Sequence, residues 1–151
     1  MIAGDNISSL LFNRKEHPFG RSWQYWTTRW WQWFLSIPKV DSPALNTTGK
    51  KFSDYQRDPN VWFLTSTMNS VVECNVRIPS GKGVLFPVIN VTISNAEDPT
   101  LNTDADMISF VNGHMDDIVE KRANIDGEDV FISENNNRVN SPPFKFSFPP
   151  D

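Results

Sequence analysis

Only one cysteine, Cys74, and two histidines, His17 and His114, stand among the 151 residues of this chain. A single cysteine excludes an internal disulfide framework, so stability has to come from packing. No apolar stretch approaches the roughly 20 residues that a membrane-crossing helix needs. The start, Met1 to Leu11, lacks the charged head and long apolar run of a signal peptide. No membrane span and no export signal are therefore expected, and the compartment stays open. A strong basic excess is missing too: the net charge is −4, whereas nucleic-acid binding needs concentrated cations that displace counterions from phosphates. No nucleic-acid partner is expected.

Aromatic residues are what the chain has in quantity. A hydrophobic content of 38% and an aromatic content of 13% place it with globular proteins, because disordered chains are poor in the rings that build a core. The length suits one core. Residues 1–20, polar and broken by Pro18 and Gly20, read as an N-terminal arm, and residues 21–151 as one globular domain. The Asn-x-Ser/Thr patterns at Asn6, Asn46 and Asn90 are no more frequent than composition produces by chance, so no glycosylation is inferred.

Ser22 can cap a helix that runs to about Ile37, with Pro38 as its stop. At 100° per residue Trp23, Trp26, Trp30, Trp33, Phe34 and Ile37 share one face, the width of a core-facing stripe. Trp31, Leu35 and Tyr25 lie off it. From Pro38 to Pro59 the chain reads as a long surface connection. The period then becomes two. Val61 to Thr67 suits a buried strand. In Ser70 to Ile78, Val72, Cys74, Val76 and Ile78 alternate with Glu73, Asn75 and Arg77, which predicts a strand with one wet face. Pro79-Ser80-Gly81-Lys82-Gly83 supplies a turn, and Val84 to Ile93 is expected to pair back as an antiparallel hairpin, with Pro87 at an edge or bulge. A second helix begins near Thr103, with Met107, Ile108, Val111, Met115, Ile118 and Val119 at helical spacing and Asn112-Gly113 as a candidate break. Asp126-Gly127 marks a hairpin turn between strands expected at Lys121 to Ile125 and Glu128 to Ser133, and Phe144, Phe146 and Phe148 alternate as a terminal strand. The fold class is α+β and β-rich: an antiparallel sheet or β-sandwich, with the tryptophan-rich helix and a second helix packed on it.

The run Phe19-Gly20-Arg21-Ser22-Trp23, followed by Trp30-Trp31-Gln32-Trp33-Phe34-Leu35-Ser36-Ile37-Pro38, resembles a family of small, mostly bacterial proteins of unknown function that carry a WWQW-x-LSIP segment. Val61-Trp62-Phe63-Leu64, Pro79-Ser80-Gly81-Lys82 with Phe86-Pro87 and Asn90, Asp126-Gly127, and Arg138 to Phe144 look like the family's later landmarks in the same order. The resemblance implies a protein that is often exported and often has cysteines around the two central segments, where this chain has Cys74 alone. Members continue past the last landmark into further strands. Here the sheet is then truncated, completed by a partner, or differently built. No established activity comes with the family.

Candidate chemistry divides into three readings. Trp31 and Tyr25, off the packing stripe and accompanied by Arg29, form a ligand-binding face for a glycan or protein partner, since aromatic faces stack on pyranoses and anchor interfaces. Asp104, Asp106 and His114, with Glu97, Asp98, Asp116 and Asp117 nearby, offer oxygen and imidazole ligands for a metal-dependent or His/carboxylate enzyme. The competing reading is acidic residues favoured by a helix dipole. The third reading is a structural subunit completed by a partner strand, or a homo-oligomer formed by strand addition. Ser80-Gly81-Lys82-Gly83 lacks the spacing of a phosphate loop. Cys74 faces inward, where thiols are inert. Arg14, Lys15, Arg21 and Arg29 flank the aromatic helix, but the negative net charge sets single-strand stacking aside. A binding module without cofactor is the reading the residues favour.

Overall fold

The computed structural model describes residues 11–45, 53–67, 71, 73–130, 132 and 137–150. By internal contact the chain divides into two compact units. One comprises Phe12–Pro87 with Asn137–Asp151, and the other Met1–Leu11 with Val88–Asn136. All six tryptophans belong to the first, here the tryptophan unit. The second holds twelve acidic residues against two basic ones, a formal −10, and is the acidic unit. The tryptophan unit holds six acidic against twelve basic residues, a formal +6.

In the tryptophan unit, helix α1 spans Trp23–Leu35, and the Ser22 hydroxyl accepts the Tyr25 N–H at 3.2 Å as expected of a cap. Trp26, Trp30 and Trp33 are buried with Ile37, Val61 and Phe63 in one apolar cluster. Trp30 stacks on Phe34 (5.3 Å, 6° between planes), and Trp33 leans on Phe63 at 5.6 Å. Three indoles also tie the helix to backbone outside it: Trp23 Nε1–H donates to Asn13 O at 3.0 Å, and Trp26 Nε1–H to Pro18 O and Trp30 Nε1–H to Leu64 O, each at 2.7 Å. The indole N–H groups of Trp33 and Trp62 are buried with no acceptor among the described residues, a deficit of about 1–3 kcal/mol each.

Strand β1 (Val61–Phe63) is buried throughout and pairs in parallel with β2 (Gly83–Leu85), Val61 opposite Gly83 and Phe63 opposite Leu85. Gly83 N–H donates to Asn60 O and Leu64 N–H to Leu85 O, both at 2.9 Å, which locks the register. The other edge of β1 is met by side chains. Gln56 donates to Phe63 O (2.8 Å) and accepts from Phe63 N–H (3.0 Å), and the buried Asp58 carboxylate accepts Val61 N–H (2.9 Å).

The acidic unit contains helix α2 (Asp104–Asp116) and the antiparallel pair β3 (Ala123–Ile125) and β4 (Glu128–Val130). Thr103 and Asp106 close a reciprocal capping box at the start of α2. Asn112-Gly113 does not break the helix. Asp126 (φ 52) and Gly127 (φ 88) form the expected turn, both in the left-handed region that a two-residue hairpin of this twist requires.

Mixed α+β is thus the architecture, but the sandwich is not found: the described residues hold two sheets of two strands each, every strand three residues long. The hairpin expected between residues 70–78 and 84–93 is replaced by the parallel β1–β2 pair. Residues 73–79 form no strand, although Glu73, Asn75 and Arg77 are exposed and Cys74, Val76 and Ile78 half-buried, as the alternation predicts. Alternation reports which side a residue faces and leaves its partner undetermined. Ser70, Val72, Phe131 and Ser133, parts of expected strands, lie outside the described residues. Phe144 to Phe148 form no strand either, the residues keeping alternation only as far as Phe146. The stretch expected as an arm is, over Phe12–Gly20, part of the tryptophan unit, with Pro18 buried.

Candidate functional site

Ahead of α1, Pro18–Gly20 forms a single 3-10 turn. Pro18 O accepts the Trp26 indole N–H, and Phe19, next in the chain, takes a left-handed conformation (φ 52), uncommon for a bulky residue. Packing holds it there. The Phe19 ring meets Phe12 at 6.0 Å and the edge of Trp26 at 6.1 Å, and it lies on Gly83, where an added Cβ would come within 2.8 Å of its Cε2. The Pro-Phe-Gly turn and the Gly-Lys-Gly turn, more than sixty positions apart in sequence, therefore fit one another.

Tyr25 stands edge-on to the same Trp26 at 5.1 Å, and the Arg21 guanidinium lies 5.1 Å from the centre of the Tyr25 ring. Buried Trp26 thus carries a surface group of three rings: Phe12 is 48% exposed, Phe19 42% and Tyr25 37%. Arg21 lies against it, and Arg14 and Lys15, two and three residues after Phe12 in the chain, are exposed as well. Arg14 donates to Arg138 O, and the Glu16 carboxylate accepts Asn13 N–H at 2.5 Å. The arrangement offers apolar ring surface for anchoring and fixed positive charge for orientation.

Of the residues read from sequence, Tyr25 belongs to this group and Trp31 does not. Trp31 is half-buried, edge-on to Trp30 at 4.9 Å and to Phe34 at 6.0 Å, so it widens the packed stripe. Six residues of α-helix place it about 120° around the axis from Tyr25. Arg29, half-buried one turn beyond Tyr25, donates to Gln32 Oε1 at 3.2 Å, and its Nε is buried without a partner among the described residues. Phe12 and Phe19 were hidden within the polar arm. Their signal was the Pro-Phe-Gly sequence just before a helix cap, where a turn folds a ring back on the first helical turn.

The acidic candidates sit in the other unit. Asp106 accepts both the Thr103 hydroxyl (2.7 Å) and the Thr103 N–H (3.0 Å); the hydroxyl first, then the backbone bond, hold its carboxyl below the ordinary value of 3.8. The Thr100 hydroxyl and N–H act likewise on Asp98. His114 places Nδ1 3.0 Å from Phe110 O and its ring 4.3 Å from that of Phe110. Asp106, His114 and Asp117 line one open depression of about 560 Å³ in which Asp104 has no part. Among the described residues no three His, Cys, Asp or Glu side chains converge as metal ligands. Cys74 is half-buried. Among the described residues no helix is long and apolar enough to cross a membrane. Comparison with protein-family models, with curated proteins and with solved structures returns no match to this chain.

Proposed function

We propose that the chain is a non-catalytic binding module whose contact face is the Phe12, Phe19 and Tyr25 group, taking a glycan or protein partner. The observation that carries this is the linked set of exposed rings around a buried indole, with Arg21 fixed over Tyr25. Rings whose positions are already held lose little freedom on binding, so more of the contact energy remains as affinity. Catalysis fits the other unit poorly, because Asp106 is engaged in capping α2 and His114 is engaged with Phe110. The likeness to the WWQW-x-LSIP family belongs to the same proposal and brings no activity with it.

Isothermal titration against a panel of soluble oligosaccharides and peptides tests the reading. A saturable heat that disappears in Tyr25→Ala, with helix content unchanged, is the expected result. Silence across the panel, or a heat indifferent to Tyr25→Ala, would overturn it. Trp31→Ala serves as the contrast: that ring packs on Trp30 and Phe34, and its loss should lower stability before affinity.

A second reading, a sheet completed by a partner strand, is supported by the edges of the β1–β2 pair. Gln56 and Asp58 occupy the outer edge of β1, whereas the outer edge of β2 carries no strand among the described residues and Val84 there is 45% exposed. A β-rich architecture would follow from such completion.

A further inference from the structure

We propose that the ring group of the tryptophan unit receives an acidic segment of a partner protein, one that carries apolar side chains between its carboxylates. This rests on the binding reading above and names the partner's chemistry.

Charge is the first ground. The chain as a whole is at −4, but the stretch from Phe12 to Arg29 has four cations, Arg14, Lys15, Arg21 and Arg29, against the single anion Glu16. The unit that carries the rings has twice as many basic as acidic residues. Arg21 lies over the Tyr25 ring, Arg14 and Lys15 follow Phe12 in the chain and are exposed, and Glu16 is turned to the backbone of Asn13. Cations at the rim of an apolar patch attract carboxylates more strongly than cations in open water, because the patch excludes part of the screening solvent. The net negative charge that argued against an anionic ligand belongs to the other unit.

Ring geometry is the second ground. A strip of pyranoses or a single nucleic-acid strand stacks on rings that present successive, nearly parallel faces. Here Phe12 and Phe19 are inclined by 58°, Phe19 and Trp26 by 81°, and Tyr25 and Trp26 by 80°. The exposed rings of Phe12 and Phe19, inclined to one another, form a notch in place of a flat platform. Leucine-sized side chains fill notches, and the carboxylates between them reach Arg14, Lys15 and Arg21.

The test is isothermal titration of the full chain with a synthetic peptide of about a dozen residues alternating Asp and Leu, against polygalacturonate and oligothymidylate. The peptide should bind, and more tightly than either polymer. Arg21→Glu should weaken it by about tenfold or more, Arg21→Lys should restore most of the loss, and raising salt from about 0.05 to 0.5 M should weaken it similarly. Arg21 is exposed, so the helical signal of both variants serves as the folding control. Preference for either polymer overturns the proposal while the binding reading stands. So does peptide binding that vanishes in Tyr25→Ala but ignores Arg21→Glu and salt. Salt-sensitive self-association in sedimentation, lost in Arg21→Glu, overturns it in favour of a second copy as occupant. Silence toward every probe overturns both readings.

Discussion

Helices α1 and α2 are both thirteen residues long, and each begins at a hydroxyl cap. They differ in what they bury. Three tryptophans of α1 are enclosed, whereas α2 has no buried residue, and among its described residues the acidic unit as a whole has none. The better-capped helix is the one without a core, since only Thr103 is answered by a reciprocal carboxylate. Capping decides where a helix starts; burial of an apolar face supplies most of what keeps it formed in a short segment. Charge follows the same division, −10 in the unit with no buried residue among those described and +6 in the unit that has them.

The widest expected contrast is between core truncations in the two units. Trp30→Ala removes a stack on Phe34 and the bond to Leu64 O, and should cost about 3–5 kcal/mol in a denaturant titration. Ile108→Ala, on the exposed side of α2, should stay within about 0.5 kcal/mol. Equal losses would mean that α2 is as well packed as α1, and the contrast would fail.

A smaller effect isolates the fit between the two turns. Gly83→Ala brings a methyl within 2.8 Å of Phe19 Cε2 and should cost about 1–3 kcal/mol, as overpacking does. In a Phe19→Ala background that cost should largely vanish, a coupling of about 0.5–3 kcal/mol in a double-mutant cycle. Additive losses would show that Gly83 matters for some reason other than the ring.

The smallest effect concerns α2 alone. Its Asp106 carboxyl titrates below the ordinary value, through the Thr103 hydroxyl and then the Thr103 N–H, so the contribution is complete above the unfolded pKa and disappears as pH falls through the lower, folded one. Circular dichroism between about pH 5 and 2 should show helix lost in the acid, with part of that slope absent in Asp106→Asn. An unchanged slope would remove the capping box from the account.

Much of this was legible in the chain. Ser22, Thr103 and Asp126-Gly127 announce their elements because caps and tight turns depend on local chemistry, and the tryptophan stripe has the period of the helix it forms. The partner of β2 was not legible. The alternation in residues 73–78 does reproduce their sidedness, but pairing depends on contacts between distant segments, here Asn60 with Gly83 and Leu64 with Leu85. The site was half legible for a similar reason. Tyr25 stands out by its angle on the helix, whereas Phe12 and Phe19 join it only through a turn whose fit requires Gly83.

The division of the aromatic residues has an optical consequence. Trp23, Trp26, Trp30, Trp31, Trp33 and Trp62, together with Tyr25 and Tyr55, all belong to one unit. The indole and phenol bands of the near-ultraviolet spectrum and the tryptophan emission of this protein therefore originate entirely there. A melt followed by emission will describe the tryptophan unit and remain blind to α2 and its hairpin, which only a backbone signal can see.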